Sequence, residues 1–315
     1  MTPEPAATRR LCLVGSLTAL VFSGCAWNTA GSTSCTLDRA PVALAPGLGE
    51  SSGLAPAGSP DPGASAPFFW THNDSGSEPV LYRVSSDGSI ADSVRVVLSG
   101  GSARDLEALE RASCVEGLCL YLADVGDNEE RRDDAALYRF PEPDPGVGSA
   151  TAMALPIRFP DGPTDVEALF VLPGDRIFLV SKGRSRPVTV YRYPLPLRPG
   201  KRVTLERVQA LTRESPFLPR YVTGASAMPG GLLVAVRTYE SLHFYRVEED
   251  RLVPVPGGKV ILRTLREAQG EAVASLPDGR LLLTSEAGPL GRRGGLVTLR
   301  CPQLISGGRE VGPTP

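Results

Sequence analysis

Apolar and polar residues alternate along this chain in short runs, each closed by Gly, Pro, Asn or Asp, the pattern of half-buried β-strands joined by turns. The pattern repeats in phase. Five copies of one phrase begin Ser52-Gly53-Leu54, Glu107-Ala108-Leu109, Glu167-Ala168-Leu169, Thr223-Gly224-Ala225 and Glu271-Ala272-Val273, and Pro173, Pro229 and Pro277 follow six residues into three of them. A turn containing Gly comes next, then an apolar run such as residues 176–180 or 280–283.

The third copy predicts strands at 167–172, 176–181, 188–193 and 203–211. The second gives 107–112, 118–124, 136–140 and 152–159, and the first 52–55, 68–73, 80–84 and 93–98. The fourth gives 224–228, 232–237, 242–247 and 259–262, with further strand-like residues at 252–255. The fifth holds three, at 271–276, 280–285 and 296–301, and residues 36–44 at the other end of the chain can supply its missing partner. A period of roughly fifty residues built from strand signals alone implies radial repetition. The expectation is an all-β, five-bladed β-propeller of four-stranded antiparallel blades, closed by an N-terminal strand, with six blades as the alternative. Third strands carry Tyr82-Arg83, Tyr138-Arg139, Tyr191-Arg192 and Tyr245-Arg246, where the aromatic is expected to fill the layer between blades and Arg to lie along the surface.

Composition narrows the partners. The 315 residues carry a net charge of −2 with 42% hydrophobic content, ample for a large core and without the basic face that nucleic acid requires. The N-terminus reads as a targeting segment: Arg9-Arg10, an apolar stretch at 11–22, then Phe22-Ser23-Gly24-Cys25. This resembles a bacterial lipoprotein signal, with Phe22 in place of the usual Leu. Residues 1–24 would be removed, Cys25 would be acylated and anchor the chain to a membrane, and 25–34 would form a tether. Ordinary signal cleavage with Cys25 unmodified is the alternative. Ala26, in place of Asp, matches sorting to the outer membrane of a Gram-negative envelope. Residues 35–305 would form a single propeller domain, and 306–315 a disordered tail.

Export implies an oxidising compartment. Four cysteines remain after Cys12 and Cys25, and three pairings are open to them. The expectation is a local clip, Cys114–Cys119, and a staple, Cys35–Cys301, joining the first and last strands of the ring. Free thiols or a CxxxxC metal pair are the alternative.

Candidate chemistry follows from strand direction. In a propeller the innermost strand of each blade lines a central channel and the next runs antiparallel to it, so the start of strand one and the end of strand two share a face. Polar residues gather at both: Asp105, Glu107, Asp165, Glu167 and Glu271 at strand-one starts, and His72, Asn73, Asp74, Asp124, Asp127, Asn128, Lys182, Arg237, Tyr239 and Glu286 at or beyond strand-two ends. Residues two apart aim to one side, so Asp105 with Glu107 and Asp165 with Glu167 should point together. Carboxylates so close need raised pKa values, basic partners or a cation, and an all-oxygen ligand set suits Ca2+. Residues 124–129 read as the best single calcium loop, with Asp124, Asp127 and Asn128 as ligands, or as a turn whose side chains cap backbone groups. His72 reads as a general base or as a hydrogen-bonded turn histidine. No G-x-S-x-G elbow, H-E-x-x-H or phosphate-binding Gly-rich loop is present.

As a set, Ser52-Gly53-Leu54-Ala55, Thr71-His72-Asn73-Asp74-Ser75-Gly76, Asp105-Leu106-Glu107-Ala108-Leu109, residues 123–128, Asp165-Val166-Glu167-Ala168-Leu169, Thr223-Gly224, Arg237-Thr238-Tyr239 and Gly270-Glu271-Ala272 resemble a bacterial family of exported β-propellers. The named propellers they are most similar to are phytase-like (esterase-like) and gluconolactonase-like. The resemblance implies calcium at the mouth, among Glu107, Glu167 and Glu271, assisting hydrolysis of an ester, lactone or phosphate. In that reading Glu107 and Glu167 hold the ion, a further carboxylate activates water, and Lys182 or Arg237 steadies a developing oxyanion; Asn73, Asp74, Asp105, Asp165, Tyr239 and Glu286 contact the ligand. The alternative is a non-catalytic envelope scaffold that binds a protein loop or a glycan.

Overall fold

Each copy of the phrase starts an up-and-down meander, because its turns are too short for any connection but an antiparallel hairpin. The computed structural model describes residues 34–58, 68–74, 76, 78–99, 103–211, 221–289 and 291–302. The signal segment, Cys25 and the tail at 306–315 lie outside the described residues, as does nearly all of the tether. Among the described residues the elements are strands and one 3-10 turn, Arg263–Leu265, and no helix is long and apolar enough to cross a membrane.

The third unit is a four-stranded sheet of Val166–Leu172, Arg176–Ser181, Thr189–Arg192 and Glu206–Ala210. The fourth is Val222–Ala227, Leu233–Thr238, Ser241–Glu248 and Arg251–Ile261. Its last strand runs continuously through both segments expected separately, and a slip in register between His243 and Tyr245 absorbs the extra residues. The fifth unit, Gly270–Ser275, Leu281–Ser285 and Gly295–Arg300, is completed by Thr36–Leu37 and Val42–Ala43, both antiparallel to Gly295–Arg300. The N-terminal strand therefore closes the sheet in two short pieces. Between them Asp38 accepts from Arg280 and Arg300. The Cys35–Cys301 disulfide lies at this junction, and Cys114–Cys119 clips the hairpin of the second unit.

The first two units, Ser51–Ala57, Phe68–Asn73, Val80–Val84, Ile90–Leu98 and Leu106–Cys114, Gly117–Asp124, Ala136–Pro141, Ser149–Arg158, depart from separate four-stranded blades. Their outer strands pair in parallel, Arg95 to Leu98 against Ser149 to Ala152, and Val203–Thr204 pairs in parallel with Ile157 and Arg158. Their outer edges are thus stitched together, which protects backbone groups that an edge strand would leave open.

Inner strands close a cycle. Ser51–Ala57 packs on Leu106–Cys114, that on Val166–Leu172, then Val222–Ala227, then Gly270–Ser275, which returns to Ser51–Ala57. This cyclic order of antiparallel sheets makes the fold a β-propeller. Apolar layers fill the space between sheets: Tyr121, Leu169, Leu179 and Tyr191 between the second and third, and Phe170, Val180, Val222 and Val236 between the third and fourth. Tyr138 and Tyr191 fill such layers as expected, but Arg83 and Arg139 are buried instead of lying along the surface. Arg83 stacks over Phe68 and donates to Gly58 O, and Arg139 pairs with Glu116 and Asp175.

Candidate functional site

The same irregularity occurs at the same place in all five inner strands. Pairing with the second strand slips between Ser51 and Leu54, Leu106 and Ala108, Val166 and Ala168, Val222 and Gly224, and Gly270 and Val273. Ser52, Glu107, Glu167, Thr223 and Glu271 fall inside these bulges, and all five are buried. A bulge leaves its residue unpaired and re-aims the side chain. The five copies then divide by chemistry. Ser52 Oγ donates to Glu107 O at 3.0 Å and Thr223 Oγ1 to Glu271 O at 2.8 Å, each tying one inner strand to the next. Glu107, Glu167 and Glu271 are carboxylates in a shared field.

Three carboxyl groups from the loops beyond the strands, those of Asp74, Asp105 and Glu286, join them. Oxygens of Asp74, Asp105 and Glu107 lie within 4.8 Å of one another. Burial, then Glu167, Asp74 and Asp105, hold the Glu107 carboxyl well above its usual range. Burial and Asp74 push Asp105 up to about 7 against the pull of Arg132. Glu167 rises to about 7, with burial outweighing the pull of Lys182. Glu271 goes to about 9 through burial, Glu167 and Glu286, and Glu286 is raised by burial and Asp74. Burial works against the Lys182 ammonium, but Glu167, which accepts its hydrogen bond, keeps it charged. Tyr239 stays a neutral phenol beside Glu271, its pKa raised first by burial. It meets Tyr221 edge-on at 6.3 Å, and the Arg184 guanidinium lies 5.3 Å above the Tyr221 ring.

Gly126 shapes the space at Asp105 and Glu107. A Cβ on Gly126 would fall 2.3 Å from Glu107 Oε1 and 2.4 Å from Asp105 Oδ2. Backbone N–H groups of Val125 and Gly126 both donate to Asp105 O, at 3.1 and 3.2 Å, which fixes the turn against the carboxylates. Asp105 Oδ1 is buried and makes no hydrogen bond within the described residues.

Several expected site residues are engaged by neighbouring protein groups. In the segment at 124–129 the oxygens expected as calcium ligands accept hydrogen bonds from the protein. Asp124 Oδ1 accepts from Asp105 N at 2.9 Å and from Arg132 Nη2 at 2.9 Å, Asp127 Oδ2 from Arg132 N at 2.7 Å, and Asn128 Oδ1 from Arg184. Asp165 accepts from Asp127 N at 3.1 Å and Arg184 Nε at 3.1 Å, so it anchors this loop. Arg237 is fully buried, donating to Ala272 O at 2.7 Å, Thr284 O at 2.8 Å and Glu267. It cross-ties units four and five through Nη1 and Nη2, while its buried Nε makes no hydrogen bond within the described residues. His72 is fully buried with Nδ1 3.0 Å from Asn73 O, its pKa lowered by burial, and its ring against Gly53. Its Nε2 is buried and makes no hydrogen bond within the described residues. Asn73 accepts from Glu50 N at 3.3 Å and donates to Gly47 O at 2.9 Å, shaping the loop.

Sequence reasoning passed over Glu110. It leaves the second inner strand and reaches the fourth, where its Oε1 accepts from Ala227 N at 3.2 Å and Ser226 Oγ at 3.3 Å. The third inner strand stands between those two in the cycle, so this side chain crosses the channel. The available signal was positional: three residues after the bulge the other copies hold Ala55, Phe170, Ser226 and Ala274.

No protein-family model matches the chain, and no curated protein matches it. Among solved structures it is similar to the PQQ-bound aldose sugar dehydrogenase of Streptomyces coelicolor, at 13% identity over 85% of this chain and 98% of that one, TM-score 0.48. It is similar to the soluble aldose sugar dehydrogenase of Escherichia coli, at 11% identity over 83% and 99%, TM-score 0.46. A gluconolactonase of Xanthomonas campestris matches at 12% identity over 86% and 99%, TM-score 0.43.

Proposed function

We propose that this chain is a five-bladed propeller whose channel mouth binds Ca2+ together with a small polar ligand, which it hydrolyses as an ester, lactone or phosphate. The blade count rests on the cyclic order of the inner strands. The observation that carries the functional reading is the gathering of Asp74, Asp105, Glu107, Glu167, Glu271 and Glu286 into one electrostatic neighbourhood. Carboxylates at that density keep protons or take a cation. These residues fit a cation: three carboxylates converge, a buried Asp105 oxygen lacks a partner, and Gly126 leaves room. Hard oxygen donors suit Ca2+ over zinc or copper. When bound, such an ion supplies Lewis-acid polarisation of a carbonyl or phosphoryl oxygen.

The chain's own part is proton handling. Glu271, at about 9, keeps its proton at neutral pH and can donate it to a leaving group. Glu167, at about 7, is poised to accept one. Neighbouring carboxyls whose environments push them apart in this way divide the acid and base roles. Lys182 places a positive charge beside them, where negative charge would develop.

We further propose that the protein is exported and lipid-anchored through Cys25 to the cell envelope, with 35–305 as the mature domain. The two disulfides support the export part of this reading. Metal analysis combined with turnover of lactones, aryl esters and phosphate esters tests the functional reading. Stoichiometric Ca2+, lost in Glu107→Gln, and turnover lost in Glu167→Gln are expected. Ca2+ without turnover would reduce the mouth to a binding module, and no bound cation would overturn the proposal.

A further inference from the structure

A second polar centre lies inside the channel, separate from the mouth. Glu110 stands three residues beyond Glu107, roughly 10 Å further along the inner strand. It is 4% exposed, and its Oε1 is held by the Ala227 N–H and Ser226 Oγ. Ser226 Oγ in turn accepts from Ser275 N–H at 3.0 Å, which brings the fifth inner strand to the same spot. Of the equivalent positions, Ala55, Ser226 and Ala274 are short and Phe170 stacks on Phe178 in the layer between the third and fourth sheets, which leaves room for the Glu110 side chain.

Two oxygens at this centre are orphaned. Glu110 Oε2 and Ser275 Oγ are buried and make no hydrogen bond within the described residues, although both residues are more than nine-tenths buried. No arginine or lysine is among the groups acting on Glu110; burial acts on it first, then the Ala227 N–H and the Ser226 hydroxyl. A carboxylate here lacks a counter-charge, and a carboxylic acid would carry an O–H with no acceptor. Either state leaves a buried polar group unsatisfied, and native interiors avoid that.

We propose that the centre of the channel binds a monovalent alkali cation through Glu110 Oε2 and Ser275 Oγ. The charge count selects the class of ion. One carboxylate and a hydroxyl are neutralised by a single positive charge, whereas a divalent ion would leave net charge buried on the axis. The donors are hard oxygens, which exclude the soft thiophilic metals. Bound there, the ion ties the second, fourth and fifth inner strands together and acts as a structural pin of the ring, independent of chemistry at the mouth.

The experiment is thermal unfolding of the full folded protein in EDTA, comparing NaCl and KCl with choline chloride at equal ionic strength. The wild type is expected to melt several degrees higher in Na+ or K+, with a saturable dependence on concentration. Glu110→Gln abolishes the difference, and Ser275→Ala shifts the midpoint concentration at least tenfold upward. Glu107→Gln, which alters only the mouth, keeps the full alkali effect. Identical melting of the wild type in alkali and choline salts overturns the proposal and leaves Glu110 as a buried neutral acid. A full alkali effect surviving in Glu110→Gln overturns it as well. Should Glu110→Gln fail to fold, the wild-type salt comparison and the Ser275→Ala midpoint decide the question by themselves.

Discussion

Lys182 and Glu167 form an ion pair within the third unit, the ammonium donating to Oε1 with both side chains more than nine-tenths buried. The pair sets the charge state of the mouth, because Lys182 is the main force holding Glu167 down against burial. Lys182→Met removes that force and leaves the carboxylate to ionise alone or keep its proton. At about pH 8 the wild-type pair is charged, so the variant loses it outright, and removing one partner of a buried pair costs roughly 3–5 kcal/mol. Near pH 5.5 Glu167 is mostly protonated already, and the loss should be less than half as large. Urea unfolding at the two pH values measures both, and an equal loss at each would contradict the pairing.

The wild type should become less stable as pH rises. Asp105 and Glu167 are lifted to about 7, and Glu271 to about 9, from ordinary values of 3.8 and 4.5. Each therefore binds its proton more tightly folded than unfolded. The stability this contributes is complete below about pH 4 and is lost as pH climbs through 7 and then 9. In EDTA the melting temperature should fall steadily between about pH 5 and 9. Millimolar Ca2+ should flatten the slope, since the cation takes over from the departing protons. A melting temperature that rises across this window would remove the crowded-carboxylate account.

How much of this was readable in the chain depends on the range of the interactions. Strands 68–73, 80–84 and 176–181 were readable to the residue, because alternation and turn chemistry are local. Ring closure by Thr36–Leu37 and Val42–Ala43 followed from a missing strand and two leftover cysteines. The bulges were not readable, since a slip belongs to the register between two strands. Nor were the parallel seams at Arg95 and Ile157, which join strands distant in sequence. At the site, the sequence placed Glu107, Glu167 and Glu271 at strand starts. It could not tell that Arg237 turns inward to Ala272 O, or that Asp124 is already bound by Arg132. Polar residues at a strand end look alike until the neighbouring blade shows which partner each one meets.

The two disulfides should differ sharply in weight. Cys35–Cys301 closes a separation of 266 residues and Cys114–Cys119 one of 5. The chain-entropy model gives on the order of 5 kcal/mol for the long loop and roughly 2 kcal/mol for the short one. The long bridge also pins both N-terminal strand pieces to Gly295–Arg300. Cys35→Ser with Cys301→Ser should therefore lower stability well beyond Cys114→Ser with Cys119→Ser, read by guanidinium unfolding. Equal losses would mean that strand pairing closes the ring unaided.

Gly126 separates the cation reading from mere crowding. Its backbone is not in the left-handed region, so alanine fits the conformation and any effect is one of space. The added Cβ would meet Glu107 Oε1 and Asp105 Oδ2 well inside contact distance, forcing the carboxylates to move. Overpacking of this kind costs about 1–3 kcal/mol. Gly53→Ala makes a comparable intrusion, 2.1 Å from His72 Nε2, but the nearest atoms its Cβ meets belong to His72 and Leu109 and to none of the three converging carboxylates. Both variants should therefore lose stability in urea. Only Gly126→Ala should weaken Ca2+ binding, by tenfold or more in calorimetric titration, because only there does the new methyl occupy space the ion would need. Unchanged Ca2+ affinity in Gly126→Ala would place the ion elsewhere in the mouth, and a matching loss in Gly53→Ala would make the effect one of general loosening.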